Sequence, residues 1–223
     1  MKTFQNNADY VVAFKIDIAL ILVVLFFCGF SSFAQGTFSL DSNGVTVKCS
    51  GCVAGYTGQI AGVGPVYTAY DNAMINAKSI SDTDWNRVVT SLVTNMGNLF
   101  KNSGTFNQDI SSWDTQSVYS FQEMFSNAPS FNQDIGSWNT VSAINMIGMF
   151  KGASLFNQDI SAWDTSNLER LDRTFQNARN FNNGENEGVP SSMSWNVSKV
   201  DRMDATFRKA ISFNANLSSW DTS

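Results

Sequence analysis

Histidine is absent from this chain of 223 residues, and its absence excludes several familiar kinds of catalytic site. Histidine is the usual general base at neutral pH and the base partner in Ser-His-Asp and Cys-His nucleophile sites. It is also the commonest neutral metal ligand. The sequence therefore predicts no catalytic residues, no cofactor and no metal site, and we expect the protein not to be an enzyme.

Basic residues are scarce as well. The chain has 14 Lys and Arg against 19 Asp and Glu, which gives a net charge of −5 and a pI near 4.6. The electrostatic field of a chain with this net negative charge repels nucleic acid and anionic lipid instead of attracting them. The composition therefore predicts that no nucleic acid is a partner and that the protein does not bind membranes through its charge.

Cysteine occurs only three times, and two of the residues, Cys49 and Cys52, form a Cys-x-x-Cys pair. No second pair is present to complete a zinc site, and no strand-helix-strand pattern surrounds the pair as it does in thioredoxins. In an oxidising compartment such a pair forms a local disulfide, which is our prediction. Two inert thiols and a thiol-disulfide exchange site remain as alternatives.

No apolar run is long enough to cross a bilayer comfortably. The longest, Ile18–Phe33, has about 16 residues, whereas a spanning helix needs roughly 20. Lys2 and Lys15 precede it and the small residue Ala34 follows, which is typical of a secretory signal. We predict a signal peptide over residues 1–34, with a single-pass membrane anchor as the alternative.

The next segment, residues 35–90, is rich in glycine and alternates apolar with polar residues. The alternation is clearest in Gly44–Cys49 and Gly64–Tyr70. This pattern predicts short strands and turns, followed by a helical stretch near Asp71–Val89. We expect residues 35–90 to form an N-terminal cap.

A Phe-Asn pair recurs five times after this segment, at intervals of 25, 25, 25 and 32 residues. A tryptophan follows each pair, and an insertion of seven residues around Glu185–Pro190 explains the longer interval. A fixed period of this length is typical of stacked repeats that bury their apolar residues only against their neighbours. The predicted repeat core is Phe106, Trp113, Phe125, Phe131, Trp138, Phe150, Phe156, Trp163, Phe175, Trp195, Phe207, Phe213 and Trp220.

Two elements are predicted in each repeat. Phe121, Met124, Phe125 and Ala128 have the spacing of one face of a short helix, which Asn127 could end in a left-handed conformation. The segment Phe-Asn-Gln-Asp-Ile-Ser-x-Trp predicts a turn and a short strand that pairs in parallel with its copies. We therefore predict an α/β repeat solenoid over residues 91–223, with units near 91–123, 124–148, 149–173, 174–205 and 206–223.

The residues Phe-Asn-Gln-Asp-Ile-Ser-Ser-Trp-Asp-Thr of 106–115, with a Met-Phe pair downstream, resemble the BspA-like family of bacterial surface proteins. The resemblance covers roughly residues 91–223. It implies a right-handed coil similar to leucine-rich repeats and a secreted or cell-surface location. It further implies adhesion or protein-protein binding with an extracellular protein or glycan as partner, and it supplies no catalytic residues.

Two features of the repeats could bind a ligand. Stacking would place Asp109, Asp134 and Asp159 in one column, which either holds calcium or accepts backbone N–H bonds in turns beside an asparagine ladder. The column of tryptophans is either core or an exposed platform for sugars and peptides.

The insertion is the other candidate, because an insertion in one repeat emerges as a loop on one face. Its possible binding residues are Asn183, Glu185, Asn186 and Glu187. The alternative is a surface loop without a role. A structural stalk is the rival function for the whole protein, because the sequence stops within a unit at Trp220–Ser223 and we expect a missing C-terminal region.

Overall fold

The computed structural model describes residues 36–222, and these residues belong to one compact unit. The predicted signal peptide, residues 1–34, and the alternative membrane anchor lie outside the described residues. Among residues 36–222, no helix combines the length and the apolar character that crossing a membrane requires.

Residues 36–92, which we call the β region, contain two small sheets. In the first, β1 (Thr37–Leu40) pairs antiparallel with β2 (Val47–Ser50). In the second, β4 (Val63–Asp71) lies in the centre, antiparallel to β3 (Thr57–Ile60) and parallel to β5 (Val88–Leu92). The sheets share a small core of Phe38, Val47, Cys49, Ala69 and Val89.

The predicted helical stretch Asp71–Val89 is mostly not helical. Helix α1 covers only Asn72–Ala77 and begins where the Asp71 carboxylate accepts the Met74 N–H at 2.9 Å. Its C-terminal neighbour Lys78 has an extended backbone, which ends the helix after six residues. A single 3-10 turn, Trp85–Arg87, then leads into β5.

Residues 93–222, which we call the repeat region, differ from the prediction. The predicted α/β solenoid with one strand and one helix in each unit is wrong. Within this described part of the chain there is no α-helix, and the strands are only β6 (Ser191–Ser192) and β7 (Ala215–Asn216), which pair in parallel. Each unit is instead a succession of turns.

The helix prediction fails because the backbone donors bond between units. An α-helix requires each N–H to donate to the carbonyl four residues earlier. Here Phe121, Glu123 and Phe125 donate to carbonyls of the next unit at 2.8–2.9 Å. Glu123 and Asn127 both have left-handed backbones, with φ of 53° and 55°. Apolar residues at helical spacing thus come from two consecutive turns.

Most of the parallel pairing also lies elsewhere than predicted. Single parallel bridges join consecutive units at Asn95, Ser120, Asn145, Arg170 and Arg202. The Phe-Asn-Gln-Asp-Ile-Ser-x-Trp segments are held mainly by turns, and only the last two copies, through Ser191–Ser192 and Ala215–Asn216, pair as parallel strands. Parallel contact between neighbouring copies therefore exists, but it is one residue wide at most positions.

Aromatic columns form the core of the repeat region. Phe125 and Phe150 stack with ring centroids 5.6 Å apart, and Trp138 and Trp163 stack at 6.4 Å with an interplanar angle of 3°. The Trp138 Nε1–H donates to the Ile110 carbonyl at 3.2 Å, so burial of the indole leaves no donor unpaired. Aromatic pairs of this kind contribute about 0.5–1.5 kcal/mol beyond the area they bury.

The predicted core residues from Phe106 to Trp195 are all buried. The tryptophans among them lie inside and present no exposed platform. Phe207, Phe213 and Trp220 are only partly buried.

Candidate functional site

One surface of the repeat region follows the parallel bridges, and we call it the ladder face. It consists of each bridge residue together with the residue before it. These residues are Thr94, Asn95, Tyr119, Ser120, Ile144, Asn145, Glu169, Arg170, Asp201 and Arg202.

Backbone hydrogen bonds hold the ladder face in register. The Tyr119 N–H donates to the Thr94 carbonyl at 2.9 Å, and the Ile144 N–H donates to the Tyr119 carbonyl at 2.9 Å. In the next unit, the Glu169 N–H donates to the Ile144 carbonyl at 3.0 Å. Strands paired in this way lie about 4.8 Å apart, so side chains at one position of successive units are direct neighbours.

The first half of the ladder face exposes two large apolar side chains. Tyr119 is 46% exposed and Ile144 is 38% exposed. The Tyr119 hydroxyl accepts a hydrogen bond from the Asn95 amide at 3.3 Å, which restricts the ring. Tyrosine is enriched at the centre of protein interfaces, because it offers a large area at a low cost in conformational entropy.

The second half of the ladder face is charged. Glu169, Arg170, Asp201 and Arg202 are exposed and alternate in sign along the chain. Arg202 is anchored at one end, since its Nε lies 3.2 Å from the carboxylate of Asp172. Its side chain nevertheless stays 61% exposed. A guanidinium held in this way can offer its remaining donors to a partner's carboxylate or carbonyl groups.

The predicted binding loop divides into an anchor and an exposed part. Asn183 is 5% exposed, and its amide accepts the Ile160 N–H at 3.0 Å and donates to the Ser192 carbonyl at 2.8 Å. It therefore positions the loop and is not available for a ligand. Glu185, Asn186 and Glu187 are exposed.

The sequence analysis missed a second anchor of this loop, Asn182. Its amide donates to the carbonyls of Asn186 at 3.1 Å and Val189 at 2.7 Å. The Asn157 amide adds a bond to the Glu185 carbonyl at 2.8 Å. The position of Asn182 in the Phe-Asn pair is the feature that could have identified it. The loop therefore has a defined shape although its side chains are exposed.

The column of aspartates caps turns. The carboxylates of Asp109, Asp134 and Asp159 each accept the backbone N–H two residues later at 2.9 Å. The asparagine ladder lies beside them, with the Asn132 N–H donating to the Asn107 side chain at 2.9 Å. Among residues 36–222, no group of three or more Asp, Glu, Cys or His is arranged to hold a metal ion. These contacts favour the turn-capping alternative over calcium.

Cys49 and Cys52 form a disulfide in the β region. Cys49 lies in β2, is 7% exposed, and its N–H donates to the Ser91 hydroxyl at 3.0 Å. Ser91 in turn donates to the Asp114 carboxylate at 2.7 Å. The disulfide is thereby connected through two hydrogen bonds to the first repeat unit.

The turns, aromatic columns and capped aspartates lie within the stretch that one family model matches. The model described as "Mycoplasma protein of unknown function, DUF285" matches residues 68–188 and 190–223, which together make up more than half of the chain. The chain belongs to the DUF285 family. No curated protein and no solved structure matches the chain.

The DUF285 match extends beyond the repeats in one direction. It begins at residue 68, within β4, so it includes residues 68–92 of the β region as well as every Phe-Asn pair. The two matched segments are separated only at Val189, in the insertion. The DUF285 description does not mention BspA-like proteins or leucine-rich repeats, and that resemblance stays a prediction.

Proposed function

We propose that this DUF285 protein is an exported bacterial surface protein that binds an extracellular protein through its ladder face, without catalysing a reaction. The observation that carries the proposal is the exposure of Tyr119 and Ile144 as direct neighbours on a backbone fixed by hydrogen bonds. Large apolar side chains held side by side at a surface are typical of binding sites, since they gain most from leaving water.

The charged half of the ladder face gives this site a complementary rim. Glu169, Arg170, Asp201 and Arg202 surround the apolar pair on one side with both signs of charge. Interfaces commonly combine an apolar centre with a polar rim, and the rim selects the partner through its charge pattern. A protein with alternating charges around an exposed apolar patch is therefore the partner that fits best.

Export is supported by the disulfide and by the predicted signal peptide. Disulfides persist in oxidising environments outside the cytoplasm, and Cys49 and Cys52 are joined in the β region. The predicted signal over residues 1–34 would direct the chain there.

The insertion is a second candidate for the contact surface. Glu185 and Glu187 project from a loop whose backbone is fixed by Asn157 and Asn182. A fixed loop with two carboxylates would suit a basic partner.

Binding of the full chain to a panel of extracellular-matrix proteins and glycans tests the proposal. Three variants separate the surfaces: Tyr119→Ala with Ile144→Ala on the ladder face, Glu185→Gln with Glu187→Gln on the loop, and Leu155→Ala as the matched control. Leu155 is 50% exposed and lies outside both surfaces. We expect saturable binding to a protein, weakened at least tenfold by the ladder-face variant only, which is the size of effect that central interface residues produce.

Two results would contradict the proposal in different ways. Binding that the loop variant weakens and the ladder-face variant does not would move the contact to the insertion. Absence of saturable binding across the panel, with tryptophan fluorescence indicating a folded chain, would remove the binding function and favour the structural stalk.

A further inference from the structure

The chain is acidic, but the charges of the repeat region are unevenly distributed. Each unit contains a turn segment of six residues between its parallel bridge and its Phe-Asn pair. These segments are residues 97–102, 122–127, 147–152, 172–177 and 204–209. The last three segments contain Lys151, Arg173, Arg208 and Lys209, and within them Asp204 is the one exposed acid.

The four cations of these three segments are not neutralised by neighbours. Among residues 36–222, none of their side chains takes part in an ion pair or a hydrogen bond. In the first two segments, by contrast, Lys101 is paired with Glu123. Asp172 is buried and paired with Arg202. Four cations against one exposed carboxylate make this part of the surface positive on a chain whose net charge is −5.

Backbone hydrogen bonds between units align the ends of these segments. The Gly152 N–H donates to the Gln176 carbonyl at 2.7 Å, and the Asn177 N–H donates to the Arg208 carbonyl at 2.9 Å. The last two residues of each segment therefore occupy the same place in three consecutive units, about 5 Å apart. We call the following residues the basic face: Lys151, Arg173, Gln176, Asn177, Arg208 and Lys209.

The basic face runs along the side of the stack. Arg173 is exposed and Lys151 is half-buried, although each belongs to a unit with a neighbouring unit on both sides. The Gly148 N–H donates to the Asp172 carbonyl, and the Arg173 N–H donates to the Asp204 carbonyl, both at 2.8 Å. Stacking of units thus leaves these two cations accessible, and their accessibility does not depend on the last described unit.

The basic face offers hydrogen-bond donors of two kinds. The guanidinium of Arg173 is a planar fork that can pair with a carboxylate or a tetrahedral oxyanion through two hydrogen bonds. The side-chain amides of Gln176 and Asn177 make no hydrogen bond among residues 36–222, so they can donate to and accept from hydroxyl groups. Cations beside free amides suit a ligand that carries both anionic groups and hydroxyls.

Other polyanions fit the basic face less well. Protein interfaces have an apolar centre, whereas the last two residues of each of these segments are charged, amide or glycine residues. Single-stranded nucleic acid is bound by aromatic side chains on which its bases stack. The aromatic residues Phe150 and Phe175 of these segments are fully buried and offer no such surface.

We propose that the basic face binds an anionic polysaccharide, with its lysines and arginines at the sulfate or carboxylate groups and its two amides at the hydroxyls. The repetition of the units places the cations in a strip that a linear polymer can follow. The basic face shares no residue with the ladder face, so this proposal does not depend on the proposed function.

Fluorescence anisotropy of labelled oligosaccharides mixed with the full chain at low salt tests the proposal. A sulfated heparin oligosaccharide and an alginate oligosaccharide, which carries carboxylates, are the two anionic probes. A dextran oligosaccharide is the neutral control. We expect saturable binding of at least one anionic probe, none of dextran, and an affinity that falls as salt is added, since binding releases counterions. The probe that binds more tightly identifies the anionic group.

Two variants with the same change in net charge locate the contact. Lys151→Gln with Arg173→Gln should weaken binding about tenfold and make its salt dependence less steep, because two contacts with anionic groups are lost. Arg87→Gln with Lys199→Gln, at exposed residues outside the basic face, should change binding by less than about twofold, since remote charges are screened.

The ladder-face variant Tyr119→Ala with Ile144→Ala should leave polysaccharide binding unchanged, which separates this proposal from the proposed function. Three results would overturn the proposal. The first is no saturable binding of either anionic probe at low salt. The second is equal weakening by the variant of Arg87 and Lys199. The third is binding of DNA or polyglutamate as tight as that of the better polysaccharide, because the basic face would then respond to charge alone.

Discussion

The β region and the repeat region form their backbone hydrogen bonds in different ways. In the β region, five strands of four to nine residues pair in two ordinary sheets around a small core. In the repeat region, turns bond to the corresponding turns of the next unit, and a much larger aromatic core fills the interior. The comparison shows that a large core can form without long helices or strands, provided that the backbone N–H groups of each unit donate to carbonyls of the next unit.

The two regions meet at a tryptophan. Trp85 precedes β5, yet its ring packs against Trp113 and its carbonyl accepts the Trp113 Nε1–H at 3.1 Å. The β region therefore supplies the first member of the tryptophan column. Because of this shared core, we expect the two regions to unfold together.

The largest expected effect comes from the centre of the aromatic core. The Phe150 ring lies 3.9 Å from Phe156 and 5.6 Å from both Phe125 and Phe175. Phe150→Ala should lower the free energy of unfolding by about 3–5 kcal/mol, since it removes a buried ring and leaves a cavity. Urea unfolding followed by tryptophan fluorescence measures it.

The fluorescence reports mainly on the repeat region, because the chain has six tryptophans and all lie between residues 85 and 220. Leu155→Ala, at an exposed position, serves as the control and should change stability by about 0.5 kcal/mol or less. Equal losses in the two variants would contradict an aromatic core that depends on contact between units.

The disulfide tests the coupling of the two regions. Replacing both Cys49 and Cys52 by serine should lower the free energy of unfolding by about 2 kcal/mol, because closing so short a loop restricts the unfolded chain only moderately. The tryptophan transition should move to lower urea concentration together with a circular-dichroism transition. A tryptophan transition that stays in place would mean that the two regions unfold independently.

Lys78 is the buried cation at the junction. Its ammonium lies 3.0 Å from the Asp82 carboxylate, 2.5 Å from that of Asp84 and 5.2 Å from the centre of the Trp85 ring. Burial lowers the pKa of Lys78, but the hydrogen bonds to Asp84 and Asp82 outweigh it and the pKa is raised. The same hydrogen bond from Lys78 lowers the pKa of Asp84.

Lys78→Met should lower the free energy of unfolding at pH 7 by about 1 kcal/mol, through the lost cation-π and ion-pair contacts. The Asp84 contribution is present above the ordinary pKa of about 3.9 and is lost as the pH falls through the lowered pKa. The Lys78 contribution is present below about pH 10.4 and is lost as the pH rises through the raised pKa. The free energy of unfolding measured at pH 2, 7 and 11 should vary less in the variant than in the unmodified protein. The same variation in both would contradict the pKa shifts of Lys78 and Asp84.

The smallest expected effect compares two equivalent threonines. The Thr140 hydroxyl donates to the Asp164 carbonyl at 2.9 Å, whereas the Thr165 hydroxyl is buried without a hydrogen-bond partner in the described residues. Thr140→Val should lower the free energy of unfolding by about 1 kcal/mol. Thr165→Val should leave it unchanged or raise it by up to about 1 kcal/mol. Chemical denaturation of both variants measures the difference, and equal costs would contradict the missing partner at Thr165.

The sequence predicts the period and most of the core, because burial requires an apolar residue at each inward position. Phe131, Trp138 and Phe150 could be identified from spacing alone. The helix could not be distinguished from turns, since Phe121, Met124 and Phe125 have the same spacing in either. The two are distinguished by the carbonyl to which each backbone N–H donates. That carbonyl lies in the next unit, so the local sequence carries no pattern that reveals it.

The candidate site was harder to predict from the sequence than the core. The bridge column contains Asn95, Ser120, Asn145, Arg170 and Arg202, which are all polar but have no single residue type in common. A surface that varies between repeats has no periodic pattern, so the ladder face emerges only from the backbone pairing. The insertion was visible as an interruption of the period, but the inward position of Asn183 depends on its partners Ile160 and Ser192.

Hydrogen bonds that run from unit to unit also determine how the chain should respond to mechanical force. Pulling on one end loads the few bonds of one interface at a time, as in opening a zipper, instead of shearing many bonds together. Each unit of 25 residues should then extend by roughly 80–90 Å when it detaches, and the unit of 32 residues by roughly 105–115 Å. A tether of this kind would lengthen in steps at low force and keep the remaining units folded.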